Sequence, residues 1–232
     1  MKSRKLLLEY ALACMGTATI AALVYFEAGR DWVVVGYAVL VVALLAVAWR
    51  IGHEIFLYQA LVMLVLAAFR ISMHNFYHLH ESFSSSLSGS IWAIALLACA
   101  VPLSFLVRNN PKFNRLPRWA SLLTLHPEQP MFFVPVVLLA VLLFLKLSGG
   151  KVTLAWGAEG FVVFTLALWA KERSFRWTGL ALLMLCVGKL VYDTWYFNDP
   201  VVRYSTWIGI GILILVVSFL YGKNREALRE YL

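Results

Sequence analysis

Four ionisable side chains lie inside long apolar stretches of this sequence, namely Arg70, Glu159, Lys189 and Asp193. A charge at bilayer depth costs at least about 2.5 kcal/mol, so residues of this kind are candidates for function. Grouped in one place, they could line a polar cavity that opens outward. Such a cavity could bind a lipid headgroup or a small anion, or serve as a proton relay.

Two further polar side chains, His74 and Tyr192, lie within one helical turn or so of these charged residues. A helix rises about 1.5 Å per residue, which places Arg70, Glu159 and Lys189 each about 10 Å below the outer end of its helix. The spacing therefore predicts one polar cluster at a single level of the membrane.

The charges of this cluster balance, because two side chains are basic and two are acidic. A balanced set needs no ligand to complete it, which favours a structural interpretation. In that interpretation Glu159 pairs with Lys189, and Asp193 pairs with Arg70 or Lys189, so that the charges lock helices together. The ligand-binding cavity is the alternative.

A second group of candidate residues could bind a metal ion. It consists of His74, His78, His80 and Glu81. Histidines four residues apart share a helix face and are good ligands for zinc or copper. The serine-rich run that follows is more typical of a solvated loop, and this simpler interpretation is favoured. His126 is expected to be an isolated loop residue.

No catalytic motif accompanies these residues. The sequence has no phosphate-binding glycine loop and no nucleophile motif of the G-x-S-x-G type. The three cysteines lie inside apolar stretches without metal-binding spacing and imply no disulfide. No cofactor is predicted, although a bound lipid is compatible with the polar cluster.

The elements that position these residues are long apolar helices. Hydrophobic residues make up 62% of the chain and charged residues 14%, which is typical of a membrane protein rather than a soluble domain. A membrane-spanning helix needs about 20 apolar residues. We predict an all-α, polytopic integral membrane protein with eight such helices, at residues 6–26, 32–50, 55–77, 89–108, 130–148, 152–171, 175–196 and 201–222.

Lysine and arginine in the connections predict the orientation, because cytoplasmic loops are enriched in these residues. With the N-terminus inside, the inner segments carry fourteen of them and the outer segments four. Both termini are therefore expected in the cytoplasm. The basic residues lie in short loops between apolar stretches, so the lipid bilayer is the expected partner and nucleic acid is not.

An internal duplication is predicted from matches between the two halves. A shift of 119 residues aligns Ala60–Tyr77 with Gly179–Tyr196, and a shift of 120 aligns Ala38 with Ala158. We predict two parallel four-helix repeats, at residues 1–108 and 130–232, although apolar helices can also match by chance. Residues 109–129 between them form a cytoplasmic loop with either a short interfacial helix or an irregular path.

Residues of about 150–222 resemble the closing repeat of a bacterial predicted membrane protein family, domain of unknown function 2339. The resemblance rests on short segments, which are Ala155–Gly160, Arg176–Leu180, Gly188–Asp193, Arg203–Ser205 and Val217–Tyr221. The first half is similar only as a degraded copy, with Val39 opposite Glu159 and His74 opposite Asp193. The resemblance implies a bacterial inner membrane and supplies no activity.

Together these observations favour a non-enzymatic accessory or scaffold subunit of a larger membrane assembly, with other membrane-protein subunits as partners. One alternative is a transporter of small solutes or lipids that uses the outer polar cluster. Another is a lipid- or quinone-handling enzyme that uses the histidine segment.

Overall fold

The computed structural model describes residues 2–77, 85–110, 126–148, 150–170, 173–196 and 200–223. In these ranges the backbone is all-helical, as predicted, and each predicted span coincides with one helix. The helices are α1 (Lys2–Glu27), α2 (Val33–Ile51), α3 (Glu54–Arg70), α4 (Ser85–Arg108), α5 (Glu128–Lys146), α6 (Gly150–Ala170), α7 (Arg173–Tyr196) and α8 (Pro200–Lys223).

Seven of these helices are long and apolar enough to cross a membrane, counted over the described residues. In the eighth, α8, the described apolar stretch is the shorter segment Trp207–Phe219. The chain is thus compatible with a multi-pass membrane protein. Helices suit this environment because they satisfy every backbone polar group internally, where lipid offers no partner.

The end of α3 departs from the prediction of one uniform helix over residues 55–77. A π-helical turn, Ile71–Asn75, follows α3 directly. Such turns accommodate an extra residue and are frequent at functional sites. Here the turn precedes Phe76 and carries both His74 and the fully buried Asn75.

Helices α1–α4 belong to a first compact unit, Met1–Leu139. Within it α2 packs against both α3 and α4, and α1 is mostly exposed. Two contacts attach α1 to its neighbours. Gly36 of α2 allows close approach of Val24, and the Thr17 hydroxyl donates to the Gln59 side-chain carbonyl at 2.8 Å.

Helices α6–α8 belong to a second compact unit, Ala140–Leu232, in which α6 packs against α7 and α8. Gly179 of α7 lies directly against the backbone of Phe164, and Gly160 of α6 lies against Leu183. The Cys186 thiol donates to the Thr153 carbonyl at 2.9 Å. These contacts set the register of α6 against α7.

The buried positions of α2 and α6 follow the same pattern. Among the residues whose burial the structure describes, each helix has eight buried ones, and every buried residue of α6 lies 119 positions after a buried residue of α2. The same shift relates three buried positions of α3, together with the buried Ile71 of the π-helical turn, to four buried positions of α7. The α2 set is Val33, Val34, Ala38, Leu40, Val41, Leu44, Leu45 and Ala48, and the α6 set is Val152, Thr153, Gly157, Glu159, Gly160, Val163, Phe164 and Ala167.

At this shift, the residue that was expected opposite Glu159 does not match it in burial. Val39 was expected opposite Glu159, but Val39 is 50% exposed whereas Glu159 is 7% exposed. Leu40, which is 9% exposed, is the residue that matches Glu159 in burial. The interfacial helix expected within residues 109–129 falls on residues 111–125, which lie outside the described residues.

Candidate functional site

The predicted polar cluster is distributed over both units. Arg70 and His74 belong to the first unit, whereas Glu159, Lys189 and Tyr192 belong to the second. Each set is therefore described by itself. The side chain of Asp193 lies outside the described residues.

The predicted metal ligands are only partly described. His74 is partly buried in the π-helical turn, and His78, His80 and Glu81 lie outside the described residues. Within the described ranges, no group of three or more histidine, cysteine or acidic side chains is placed to hold a metal ion.

Arg70, the last residue of α3, contacts α1 and the turn that follows α1. Its Nη2 donates to the carbonyl oxygen of Arg30 at 3.2 Å, and its guanidinium lies 5.9 Å from the centre of the Tyr25 ring. A cation over an aromatic face is attracted by the ring electrons. Arg70 is therefore engaged in helix packing.

A polar network that we did not predict lies next to Arg70. It consists of Asp31, Asn75 and Ser86, and we call it the Asn75 network. Asn75 Nδ2 lies 3.2 Å from the Asp31 carbonyl and 3.4 Å from the Ser86 carbonyl, and the Ser86 hydroxyl donates to Asp31 Oδ1 at 2.8 Å. Gly89 allows this approach, because a Cβ there would collide with the Asp31 carbonyl.

Glu159 is the most unusual side chain of the predicted cluster. It is 7% exposed, and among the residues that the structure describes neither carboxyl oxygen has a hydrogen-bond partner. The expected pairing of Glu159 with Lys189 is therefore wrong. Buried polar groups are hydrogen-bonded in the great majority of cases, so this exception requires an explanation.

The packing of α6 on α7 explains why that pair does not form. Gly160 contacts Leu183, and Phe164 contacts Gly179, so Glu159 lies at the level of Leu183. Lys189 is six residues further along α7, which corresponds to about 9 Å. Glu159 and Lys189 thus do not share one level, because the prediction measured depth from helix ends rather than from contacts between α6 and α7.

A second unpredicted network connects the end of α4 to the start of α5. It consists of Arg108, His126 and Glu128, and we call it the Glu128 network. Glu128 Oε1 accepts from Arg108 Nη1 at 2.8 Å and lies 2.9 Å from His126 Nδ1. The Glu128 side chain is 1% exposed, and its Oε2 has no hydrogen-bond partner among the described residues.

The expectation that His126 is an isolated residue is thus wrong. Two signals in the sequence pointed to the network, namely a basic residue in the last turn of α4 and an acidic residue in the first turn of α5. Both positions are favourable to the helix dipole. Their mutual contact depends on how the chain brings the two helix ends together.

Two cavities border α2. One, of 510 Å³, lies near its C-terminal end and is lined by Trp49, Arg50, Leu106, Asn109 and Asn110. There the Asn110 amide donates to the Trp49 carbonyl at 2.8 Å. The other, of 570 Å³, is an apolar groove between α1 and α2. Each is large enough for part of a lipid molecule.

No protein-family model, curated protein or solved structure matches this chain. The resemblance of residues 150–222 to domain of unknown function 2339 therefore stays a prediction. The functional argument rests on the geometry within the two units.

Proposed function

We propose that this chain is a non-enzymatic accessory or scaffold subunit of a larger membrane assembly. The observation that carries the proposal is one face of α8, formed by Tyr204, Ile208, Gly211, Leu215 and Phe219. All five residues are exposed, and their three- and four-residue spacing places them on the same side of the helix. We call this face the α8 strip.

Gly211 makes the α8 strip suitable for another helix. A Cβ at this position would meet nothing within 4 Å, so no described neighbour requires a glycine. Glycine within a helix costs about 0.5–1 kcal/mol relative to alanine. In membranes, small residues at interfaces allow helix backbones to approach closely. A partner helix over Gly211 would give the glycine a function.

Polar groups inside the helices also fit a structural role. The Gln59 side chain joins α3 to α1 through Thr17, and Cys186 joins α7 to α6. The Trp156 indole donates to the Ala140 carbonyl at 2.9 Å. These bonds support a protein whose intramembrane polar groups mainly hold helices together.

For the topology we propose eight membrane spans, with both termini in the cytoplasm of a bacterial cell and the chain in its inner membrane. The length of α8, 24 residues, exceeds the about 20 residues needed to cross a bilayer. The strong excess of basic residues on one side supports the orientation. The family resemblance supports the bacterial membrane.

We also propose that the chain arose by duplication of a four-helix segment, giving two parallel repeats. The shared burial pattern of α2 and α6 supports this proposal, because all eight described buried positions agree at a single shift of 119 residues. The second helix of each proposed repeat also packs on the third and the fourth.

The test compares two glycines that are both exposed and both open. Gly211 lies in the α8 strip, and Gly188 lies on α7, where an added Cβ would likewise meet nothing within 4 Å. Wild type, Gly211→Leu and Gly188→Leu are extracted from native membranes in lipid nanodiscs, and particle mass and composition are measured by native mass spectrometry.

We expect wild type and Gly188→Leu to carry a partner protein at fixed stoichiometry, and Gly211→Leu to lose it while staying folded. Recovery of the wild-type chain as a lone monomer would contradict the proposal. If both variants retained the partner equally, the α8 strip would not be the surface that binds it.

Transport of a small solute or lipid is the second candidate function. The observation that favours it is Glu159, a buried carboxyl without a hydrogen-bond partner among the described residues. The test replaces Glu159 by Gln and Lys189 by Met in protein reconstituted into liposomes. Solute fluxes that stay unchanged in both folded variants would exclude transport through this cluster.

A further inference from the structure

Glu159 and Leu40 occupy corresponding positions in two helices with the same burial pattern. Glu159 is 7% exposed and Leu40 is 9% exposed. Helix α2 packs against α1, α3 and α4, and α6 packs against α7 and α8. The first unit thus provides an internal comparison, since the same buried position carries an apolar side chain there and a carboxyl group in the second unit.

This comparison separates packing from function. Leu40 shows that a helix with this burial pattern packs well with an apolar residue at the position. A buried carboxyl without a hydrogen bond is unfavourable for folding in any protonation state. The carboxyl of Glu159 therefore does not serve the packing of α6, and another role has to account for it.

The surroundings of Glu159 are apolar on both sides along the helix axis. Toward the start of α6, Trp156 packs on a cluster formed by Cys186, Leu190 and Ile210. Toward the end of α6, Phe164 packs with Leu183 and Val217. Residues of α7 and α8 contribute to both clusters, and Glu159 lies between Trp156 and Phe164 along α6.

Among the residues whose side chains the structure describes, no charged group is hydrogen-bonded to this carboxyl. The ionisable residues nearest in register on α7 are Cys186 and Lys189, three and six residues beyond Leu183, and Arg176 lies seven residues before it. On α8, the described Tyr204 is exposed. None of them is bonded to the Glu159 oxygens.

These facts restrict the ligand that the site can take. A metal ion would need several ligands, and the described residues offer no such group. A cationic side chain of another protein would have to pass α7 or α8 to reach a group that is 7% exposed. A proton needs no cavity and removes the charge that is costly at this depth.

We propose that Glu159 is a proton-binding site in the membrane interior, which holds its proton at neutral pH and exchanges it with solvent. The step is the association of one proton with the carboxylate to give a neutral carboxylic acid. The proposal states only that a proton binds this carboxyl. It holds whether the chain is a scaffold or a transporter.

The test reads the protonation state directly by infrared spectroscopy. The full-length chain is placed in lipid nanodiscs, and spectra of wild type and Glu159→Gln are compared over a range of pH. We expect wild type to show the C=O stretching band of a protonated carboxylic acid at neutral pH, shifted in D₂O and absent from Glu159→Gln. The band should disappear on going to alkaline pH.

A carboxylate signal instead of this band at neutral pH would overturn the proposal. A carboxylic acid band that persists unchanged at every pH and never shifts in D₂O would also overturn it, since the proton would then not exchange. Neither reading requires a partner protein or a solute flux, so failure here is distinguishable from failure of either proposed function.

A matched variant tests the internal comparison. In the double variant Leu40→Glu with Glu159→Leu, the carboxyl moves to the corresponding position of α2. We expect the exchangeable carboxylic acid band to return. If this folded variant shows only carboxylate, the two positions are not equivalent and the argument from Leu40 fails.

Discussion

Replacing Gly179 by alanine should destabilise the second unit through a single contact. An added Cβ would lie 2.8 Å from the backbone nitrogen of Phe164 and 2.9 Å from its Cα. Carbon atoms in favourable contact are about 3.5–4.0 Å apart. The neighbour is backbone rather than a flexible side-chain end, so α6 and α7 would have to separate locally.

Two effects of opposite sign determine the magnitude. Overpacking of this kind typically costs about 1–3 kcal/mol. Alanine in place of glycine within a helix contributes about 0.5–1 kcal/mol of stability. The net effect expected for Gly179→Ala is therefore a loss of about 0–2.5 kcal/mol.

Gly188→Ala is the matched control on the same helix. A Cβ there meets nothing within 4 Å, so only the gain in helix propensity applies. The difference in unfolding free energy between the two variants cancels this shared gain. What remains is the cost of the close contact, about 1–3 kcal/mol. Reversible unfolding in mixed micelles measures both free energies. Equal stabilities of the two variants would refute the close packing of Gly179 on Phe164.

Three further predictions concern the buried polar groups. Arg108→Met should cost about 3–5 kcal/mol of unfolding free energy, because it leaves the Glu128 carboxylate buried without its charged partner. Adding Glu128→Met should recover most of that loss; a double variant no more stable than the single one would exclude the ion pair as the cause. Asn75→Ala should cost about 1–3 kcal/mol, since it removes the donor to two carbonyls, and unfolding as stable as wild type would contradict the Asn75 network. Glu159→Leu should raise stability by about 1–3 kcal/mol, because it removes an unpartnered carboxyl and introduces the residue that α2 carries, whereas a thermal-unfolding midpoint below that of wild type would reveal a stabilising partner.

The helices themselves follow from composition. Long apolar stretches in a chain with few charges can satisfy their backbone only as helices in lipid, so each predicted span coincides with an observed helix to within a few residues. The deviation at Ile71–Asn75 arose because an apolar pattern does not distinguish an α-helical turn from a π-helical one.

Contacts between helices were predicted less well, and Glu159 shows the reason. The burial of Glu159 could be anticipated from its place within an apolar stretch. Which residue of α7 lies at its level could not. Depth counted from helix ends placed it beside Lys189, whereas the contact of Gly179 with Phe164 brings it level with Leu183. A shift of a few residues between two packed helices cannot be read from the sequence. It nevertheless determines which side chains are in contact.

The sequence by itself determined that this protein is helical and which stretches form its helices, because these properties depend on local apolar length and periodicity. Only the tertiary structure decided that Leu40 rather than Val39 matches Glu159 in burial, that Asn75 bonds to Asp31 and Ser86, and that Glu128 contacts both Arg108 and His126. These are contacts between distant segments, and they depend on which face each helix turns toward its neighbours.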